Sequence, residues 1–214
     1  MAGMMDILTT VDRWRRDGET IAVATLVRAC GSVPRLPGAR LVMTRSGKMI
    51  GSVSAGCVEN DIFEHALLVL DSGQSTIVRY DAADPLGPEV GLSCGGSIEV
   101  LIEPFTPAEP WPALSRAVQH ERAVALAIGL TPPALIGRKL VVFDDGTAAG
   151  SVDAALDEHV TAAAQRLTSA GGTRVLSLPW RGDTASVFIE AFPAPQQLLI
   201  VGATHTAIPL CRLA

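Results

Sequence analysis

The chain has 214 residues, 22.3 kDa and a formal net charge of −5, long enough to bury a substantial core. With 48% hydrophobic and 18% charged residues it is not a disordered chain, and 17 basic residues without a run, beside 4% aromatics, leave no footprint for nucleic acid. The mean hydropathy of +0.33 raises the question of a membrane span, but the longest apolar stretch, 123–137, is too short for one and is broken by Pro132-Pro133, and the first residues lack the pattern of a signal peptide.

A cytoplasmic protein is expected. In chain order, residues 6–17 form a predicted helix capped by Asp6, with Ile7, Leu8, Val11 and Trp14 on one face and Gly18 at its end. Residues 21–27 read as a buried strand, and 30–38, with two prolines and two glycines, as a loop. Residues 40–44 and 48–53 are strands joined by a turn at Ser46-Gly47. A Gly/Ser stretch, 51–56, leads into a helix over 57–70, with Ile62, Phe63, Ala66, Leu67 and Leu70 as its core face and Asp71-Ser72-Gly73 as its stop. Residues 75–80 are a strand, 81–96 a long loop and 97–103 another strand. The four prolines of 104–112 mark a linker.

Beyond the linker the pattern repeats. Leu41-Val42 and Gly47 return as Leu140-Val141 and Gly146, and Gly51-Ser52-Val53 as Gly150-Ser151-Val152, again followed by a helix, 154–167. Val100-Leu101-Ile102-Glu103-Pro104-Phe105 is echoed by Val187-Phe188-Ile189-Glu190-Ala191-Phe192, and Ala22-Val23-Ala24 by Val124-Ala125. Matches in the same order imply an α/β fold in which a duplicated strand-helix unit, 18–105 and 120–192, forms a two-lobed domain over 1–192. Residues 193–214 are expected to be a linker plus the first strand and helix of a truncated Rossmann-type domain.

The duplication separates folding from function. Residues needed for folding should stand in both copies, whereas those of a single site can survive in one. Ser32-Val33-Pro34-Arg35 and the 81–96 loop have no second-copy counterpart, and Ser54-Ala55-Gly56-Cys57 faces Asp153-Ala154-Ala155-Leu156.

Four cysteines, none in a CxxC pair or zinc-finger arrangement, are expected to be free thiols. Cys30 and Cys211 read as small buried hydrophobes. Cys57 is placed in the first turn of the predicted helix, where free N–H groups and the helix dipole favour a thiolate, and where the same turn could hold a phosphate. Glu59 and Asp61 would oppose an anion there, their ordinary role being to stabilise the helix start. Cys57 alternatively serves close helix–strand packing. Cys94 precedes Gly95-Gly96, whose backbone can approach a ligand closely or simply make a tight turn. Two thiols in loops of one repeat suggest a soft-ligand or sulfur-transfer site, with Cys57 and Cys94 as possible metal or sulfur contacts. Arg35, in a proline loop, suits a phosphate or carboxylate, or is a solvated charge; Arg40 has basic counterparts at Arg138 and Lys139. His65, His120, His159 and His205 show no metal spacing. Residues 197–207 approach a dinucleotide-binding fingerprint, with Thr204 at the middle glycine position.

Gly31-Ser-Val-Pro-Arg35, Pro37-Gly-Ala-Arg40, Gly51-Ser-Val-Ser-Ala-Gly-Cys57-Val-Glu59 and Cys94-Gly-Gly96 through Glu103-Pro104 resemble the XdhC/CoxI family, accessory proteins of xanthine dehydrogenase and carbon monoxide dehydrogenase. The 198–214 segment looks like the opening of that family's C-terminal Rossmann domain. The resemblance implies a non-enzymatic chaperone that binds the molybdenum cofactor (molybdopterin) and protects it while a cysteine desulfurase-type sulfurtransferase installs the sulfido ligand. It then inserts the cofactor into an apo molybdenum hydroxylase. By position, Cys57 and Cys94 are the cofactor or sulfur contacts. The turn carrying Gly51, Ser54, Gly56 and Glu59, the loop of Ser32 and Arg35, and Gly95 and Gly96 are the pterin and phosphate contacts. Thr204 and the missing Rossmann remainder argue against NAD(P) binding by this chain. A homodimer is a possible assembly. The alternatives are a nucleotide-binding oxidoreductase-like protein and a docking module without cofactor binding.

Overall fold

The computed structural model describes residues 3–82, 91–108, 110–195, 199–202 and 205–213. Helix α1 (Met4–Arg16) begins ahead of Asp6: Gly3 is the cap, and the Asp6 carboxylate in the first turn accepts the Gly3 N–H at 2.9 Å. Ile7, Leu8, Val11 and Trp14 are its buried face, and Gly18 follows its end at φ 80.

The first lobe contains β1 (Ile21–Cys30), β2 (Arg40–Thr44), β3 (Met49–Gly51), α2 (Glu59–Ser72), β4 (Thr76–Tyr80) and β5 (Ser97–Pro104). Its strands form an antiparallel sheet of order β3-β2-β1-β5-β4. After α3 (Trp111–Gln119), the second lobe repeats the plan with β6 (Val124–Thr131), β7 (Lys139–Phe143), β8 (Ala148–Gly150), α4 (Asp157–Thr168), β9 (Gly172–Trp180) and β10 (Asp183–Phe192). Its order is β8-β7-β6-β10-β9, the same topology element for element. In matching register, Ala24 pairs with Leu41 and Ala127 with Leu140, so the counterpart of 22–24 is 125–127 and not the Val124-Ala125 matched in sequence.

Alternation along the strands builds the layers. On β1, Ala22, Ala24 and Leu26 face α2 and pack with Ile62, Ala66 and Val69. On β6 and β10, Ala125, Ala127, Val187 and Ile189 face α4 and pack with Val160 and Ala164. The opposite faces meet each other: Val27 and Leu101 of the first sheet join Leu126, Ile128, Val141 and Phe188 of the second. The result is helix, sheet, sheet, helix, with α1 packed on Ile21, Val23 and Val42 at one side. Fully burying a side chain such as Leu101 or Phe188 contributes about 1.5–3 kcal/mol.

Several elements depart from the sequence reading. The helix α3 occupies the end of the supposed linker, because Pro112 lies in its first turn, where a missing N–H costs nothing. The second helix of the chain starts at Glu59 rather than at 57. Residues 199–201 form no strand, since no described strand lies beside them to complete a ladder, and Leu199 and Val201 are exposed. A helix, α5 (Ala207–Leu213), follows with no buried residue, while Thr204 lies outside the described residues. No helix among the described residues is long and apolar enough to cross a membrane.

Candidate functional site

The 52–58 turn is organised by one carboxylate. The Ser52 hydroxyl donates to Glu59 Oε1 at 2.6 Å, as do the Val53 and Ser54 N–H groups at 3.2 and 2.9 Å. The Ser54 hydroxyl and the Gly56 N–H donate to Oε2. Burial alone would raise the Glu59 pKa, but these hydrogen bonds outweigh it and lower it to about 2. The nest of donors predicted to hold a phosphate is thus filled from within. In the second lobe the Ser151 hydroxyl and the Val152 and Asp153 N–H groups donate to Asp157. Gly51, Ser52 and Glu59 therefore have structural counterparts in Gly150, Ser151 and Asp157. A Cβ on Gly51 would stand 2.1 Å from the Arg40 carbonyl oxygen, and one on Gly150 2.4 Å from that of Lys139. Ser54 is fully buried, and its hydroxyl also accepts the Val58 N–H at 3.0 Å, so it belongs to the interior of the turn.

Cys57 precedes the helix instead of occupying its first turn. Ala55 and Gly56 take positive φ values of 62 and 115, which keeps the chain out of helical geometry until Glu59. Val58 and Leu156, each 1% exposed, cap α2 and α4, so Leu156 is the counterpart of Val58 and not of Cys57. Cys57 is exposed, and its Sγ lies 3.5 Å from the Ser93 hydroxyl, which links this turn to the segment carrying Cys94. Cys94 is half-buried against the first-lobe core.

The third segment reaches the same end of the lobe. A Cβ on Gly96 would lie 2.2 Å from the Ser32 carbonyl oxygen and 2.8 Å from both the Cys30 carbonyl oxygen and Val33 Cγ1. Only a glycine lets the 93–96 segment lie directly on the 30–33 loop. Gly95 and Gly96 line a shallow groove with Cys30, Gly31, Asp81, Ala82 and Ser97. Ser32 is exposed and Arg35 half-buried, on the loop that runs from this groove toward the second lobe. The structure thus brings together Ser32, Cys57, Cys94, Gly95 and Gly96 from segments far apart in sequence. Part of the 81–96 loop, 83–90, lies outside the described residues; its base is tied by a bridge between Ala82 and Leu92. The second lobe replaces the loop with a turn at 181–182. Nearby, Tyr80 donates to Asp61 at 2.6 Å, and burial first, then this bond, raises the phenol pKa.

Cys30 departs from its reading as a buried hydrophobe. It is exposed at the end of β1, opposite Ser97 on β5, and lines the groove; this exposure was hidden because a cysteine ending an apolar run looks like core. Cys211 is also exposed, on α5, which has no apolar surface packed over it. Among the described residues no three His, Cys, Asp or Glu side chains group as a metal site. Arg40 is not at the groove: it pairs with Glu190 across the lobes and donates to the Gly38 carbonyl.

The likenesses of the chain fall on this architecture. It is 29% identical over 210 residues to a probable xanthine dehydrogenase subunit of Bacillus subtilis, covering 96% of the chain and 59% of that protein. It is 31% identical over 109 residues to the molybdenum cofactor insertion chaperone PaoD of Escherichia coli, covering 51% of the chain and 34% of that protein. A crystal structure of a xanthine dehydrogenase from Bacillus halodurans matches with a TM-score of 0.57 and 24% identity, over 69% of this chain and 44% of that one, a likeness of fold. The chain therefore spans less than two thirds of the length of each. Residues 14–81, the stretch that holds Ser32, Arg35 and the whole Cys57 turn, match the XdhC and CoxI family.

Proposed function

We propose that the protein is an accessory factor of a molybdenum hydroxylase that holds the molybdenum cofactor and passes it to the apo-enzyme. The observation that carries this reading is the convergence of Ser32, Cys57 and Cys94-Gly95-Gly96 at one end of the first lobe, the last of these on a loop that the second lobe replaces with a short turn. The name of PaoD, a cofactor insertion chaperone, gives the reading its ligand.

The residues present suit such a group. A phosphorylated pterin needs donors for its phosphate and a close backbone for its rings; Arg35 and the Gly95-Gly96 segment supply these chemistries. Cys57 and Cys94 are the thiols that contact the sulfur-bearing end. Gly51, Ser54, Gly56 and Glu59 hold the turn that presents Cys57. When bound, the cofactor would supply the molybdenum centre on which the client enzyme depends. This chain's part is to hold it and limit water access, with a sulfurtransferase and the apo-hydroxylase as successive partners.

The test is anaerobic mixing with freshly released molybdenum cofactor, followed by gel filtration and molybdenum quantification. Near-stoichiometric metal on the wild type and a reduced amount on a folded Cys57→Ala variant are expected. Metal retained equally by both removes Cys57 from the site, and none on either leaves a docking module. That second reading draws on Glu59, whose carboxylate already fills the anion nest.

A further inference from the structure

Between the lobes, on the Cys30 side, lies a cleft of about 510 Å³. Its walls come from β1, β4 and β5 of the first lobe and β9 and β10 of the second. Three guanidiniums line it, Arg28, Arg79 and Arg174, against a single lining carboxylate, Glu99. With Arg28 paired to Glu99 and Arg79 to Asp81, Arg174 supplies the net positive charge, in a chain of net charge −5.

The arginines are held in different ways. Arg28 donates through one terminal nitrogen to Glu99 at 3.1 Å, and Arg79 grips Asp81 through Nε and one terminal nitrogen at 2.9–3.1 Å. A guanidinium has five N–H donors, so each is oriented by its carboxylate and keeps donors for a second anion. Arg174 is exposed on β9 with no carboxylate partner among the described residues. Val27, Val175 and the ring of Phe188 give the cleft an apolar floor. Cys30 and Ser97 belong to this cleft and also to the Gly95-Gly96 groove, and Arg79 lines the same cleft as Cys30. The cleft and groove therefore meet at Cys30.

We infer that this interlobe cleft binds the phosphate-bearing end of a planar heterocyclic phosphate ester, with Arg28, Arg79 and Arg174 on the phosphate in place of Arg35, and Cys30 at the passage toward the groove. An apolar floor beneath a cationic rim suits a flat ring carrying an anion, where a bare phosphate would use only the rim. The inference rests on the carrier reading for the natural ligand, and on the cleft alone for the chemistry bound. It makes Cys30 the thiol beside the ligand at this junction.

Guanosine 5′-monophosphate, guanosine and inorganic phosphate serve as probes in calorimetric titrations of the full chain. The nucleotide should bind about tenfold or more tightly than either fragment, as expected when one charge-assisted contact is added to ring contacts. Arg174→Ala should weaken it by about tenfold or more, whereas Arg166→Ala, equal in charge but on the outer helix α4, should leave it unchanged. Bound nucleotide should also slow alkylation of Cys30, read by peptide mass spectrometry, and not that of Cys211. No nucleotide binding, equal affinity for all probes, or unchanged affinity in Arg174→Ala overturns the inference. Nucleotide binding that depends on Arg174, in a protein that never retains molybdenum, sinks the carrier reading and keeps the cleft. Molybdenum retained without any nucleotide binding does the reverse.

Discussion

Glu59 shows how one side chain can look like a ligand contact and act as a fold determinant. Its carboxylate stands where an incoming anion would, accepting the hydroxyls of Ser52 and Ser54 and the amides of Val53, Ser54 and Gly56. Because its folded-state pKa of about 2 lies below the ordinary 4.5, the stabilisation is complete above pH 4.5 and fades as pH falls from there toward about 2. Glu59→Gln should unfold about 1–3 kcal/mol more easily at neutral pH, since the amide cannot accept from every donor left in the turn. In urea titrations, the gap between wild type and variant should close steadily below pH 4.5. A gap that stays constant would mean that the charge of Glu59 contributes nothing to the turn.

At the level of elements, the close stacking of the 93–96 segment on the 30–33 loop is the contact that assembles the groove. Gly96→Ala should cost about 1–3 kcal/mol, because the new methyl meets backbone atoms that cannot rotate away. It should also lower molybdenum retention more than Cys57→Ala does, as both walls of the groove move. Normal retention and an unchanged urea midpoint would show that the two segments are not in register with each other. Much of this architecture was legible beforehand, since short apolar runs bounded by turn residues marked β1, β2 and β5, and the recurrence of Gly51-Ser52-Val53 exposed the duplication. What escaped was governed by tertiary context. Helix α3 was concealed by the prolines around it, and the start of α2 was delayed by positive φ at Ala55 and Gly56. Of the candidate site, Ser32, Cys57 and Cys94-Gly96 were recognisable as first-copy features, but the exposure of Cys30 and the arginines of the cleft depend on how two distant sheets meet.

Across the whole molecule the lobes are joined by an apolar seam and two related ion pairs. Arg40 at the start of β2 reaches Glu190 on β10, and Lys139 at the start of β7 reaches Glu103 on β5, while each cation also donates to a carbonyl two residues before it, Gly38 or Gly137. The Arg40–Glu190 pair is the more buried, with side chains 5% and 12% exposed. Glu190→Gln should destabilise the chain by about 3–5 kcal/mol by stranding a buried guanidinium, and the double replacement Arg40→Met, Glu190→Leu by clearly less. Equal losses in chemical unfolding would show that the charge itself, and not its isolation, sets the cost. The reciprocal pairing has an evolutionary consequence. In an isologous dimer of identical chains, patch i meets patch j and j meets i, so any substitution is imposed twice. With both halves on one polypeptide that constraint lapses: one half can keep the shared scaffold while the other carries an extra loop and exposed thiols, so that two ends built on one plan need no longer be alike.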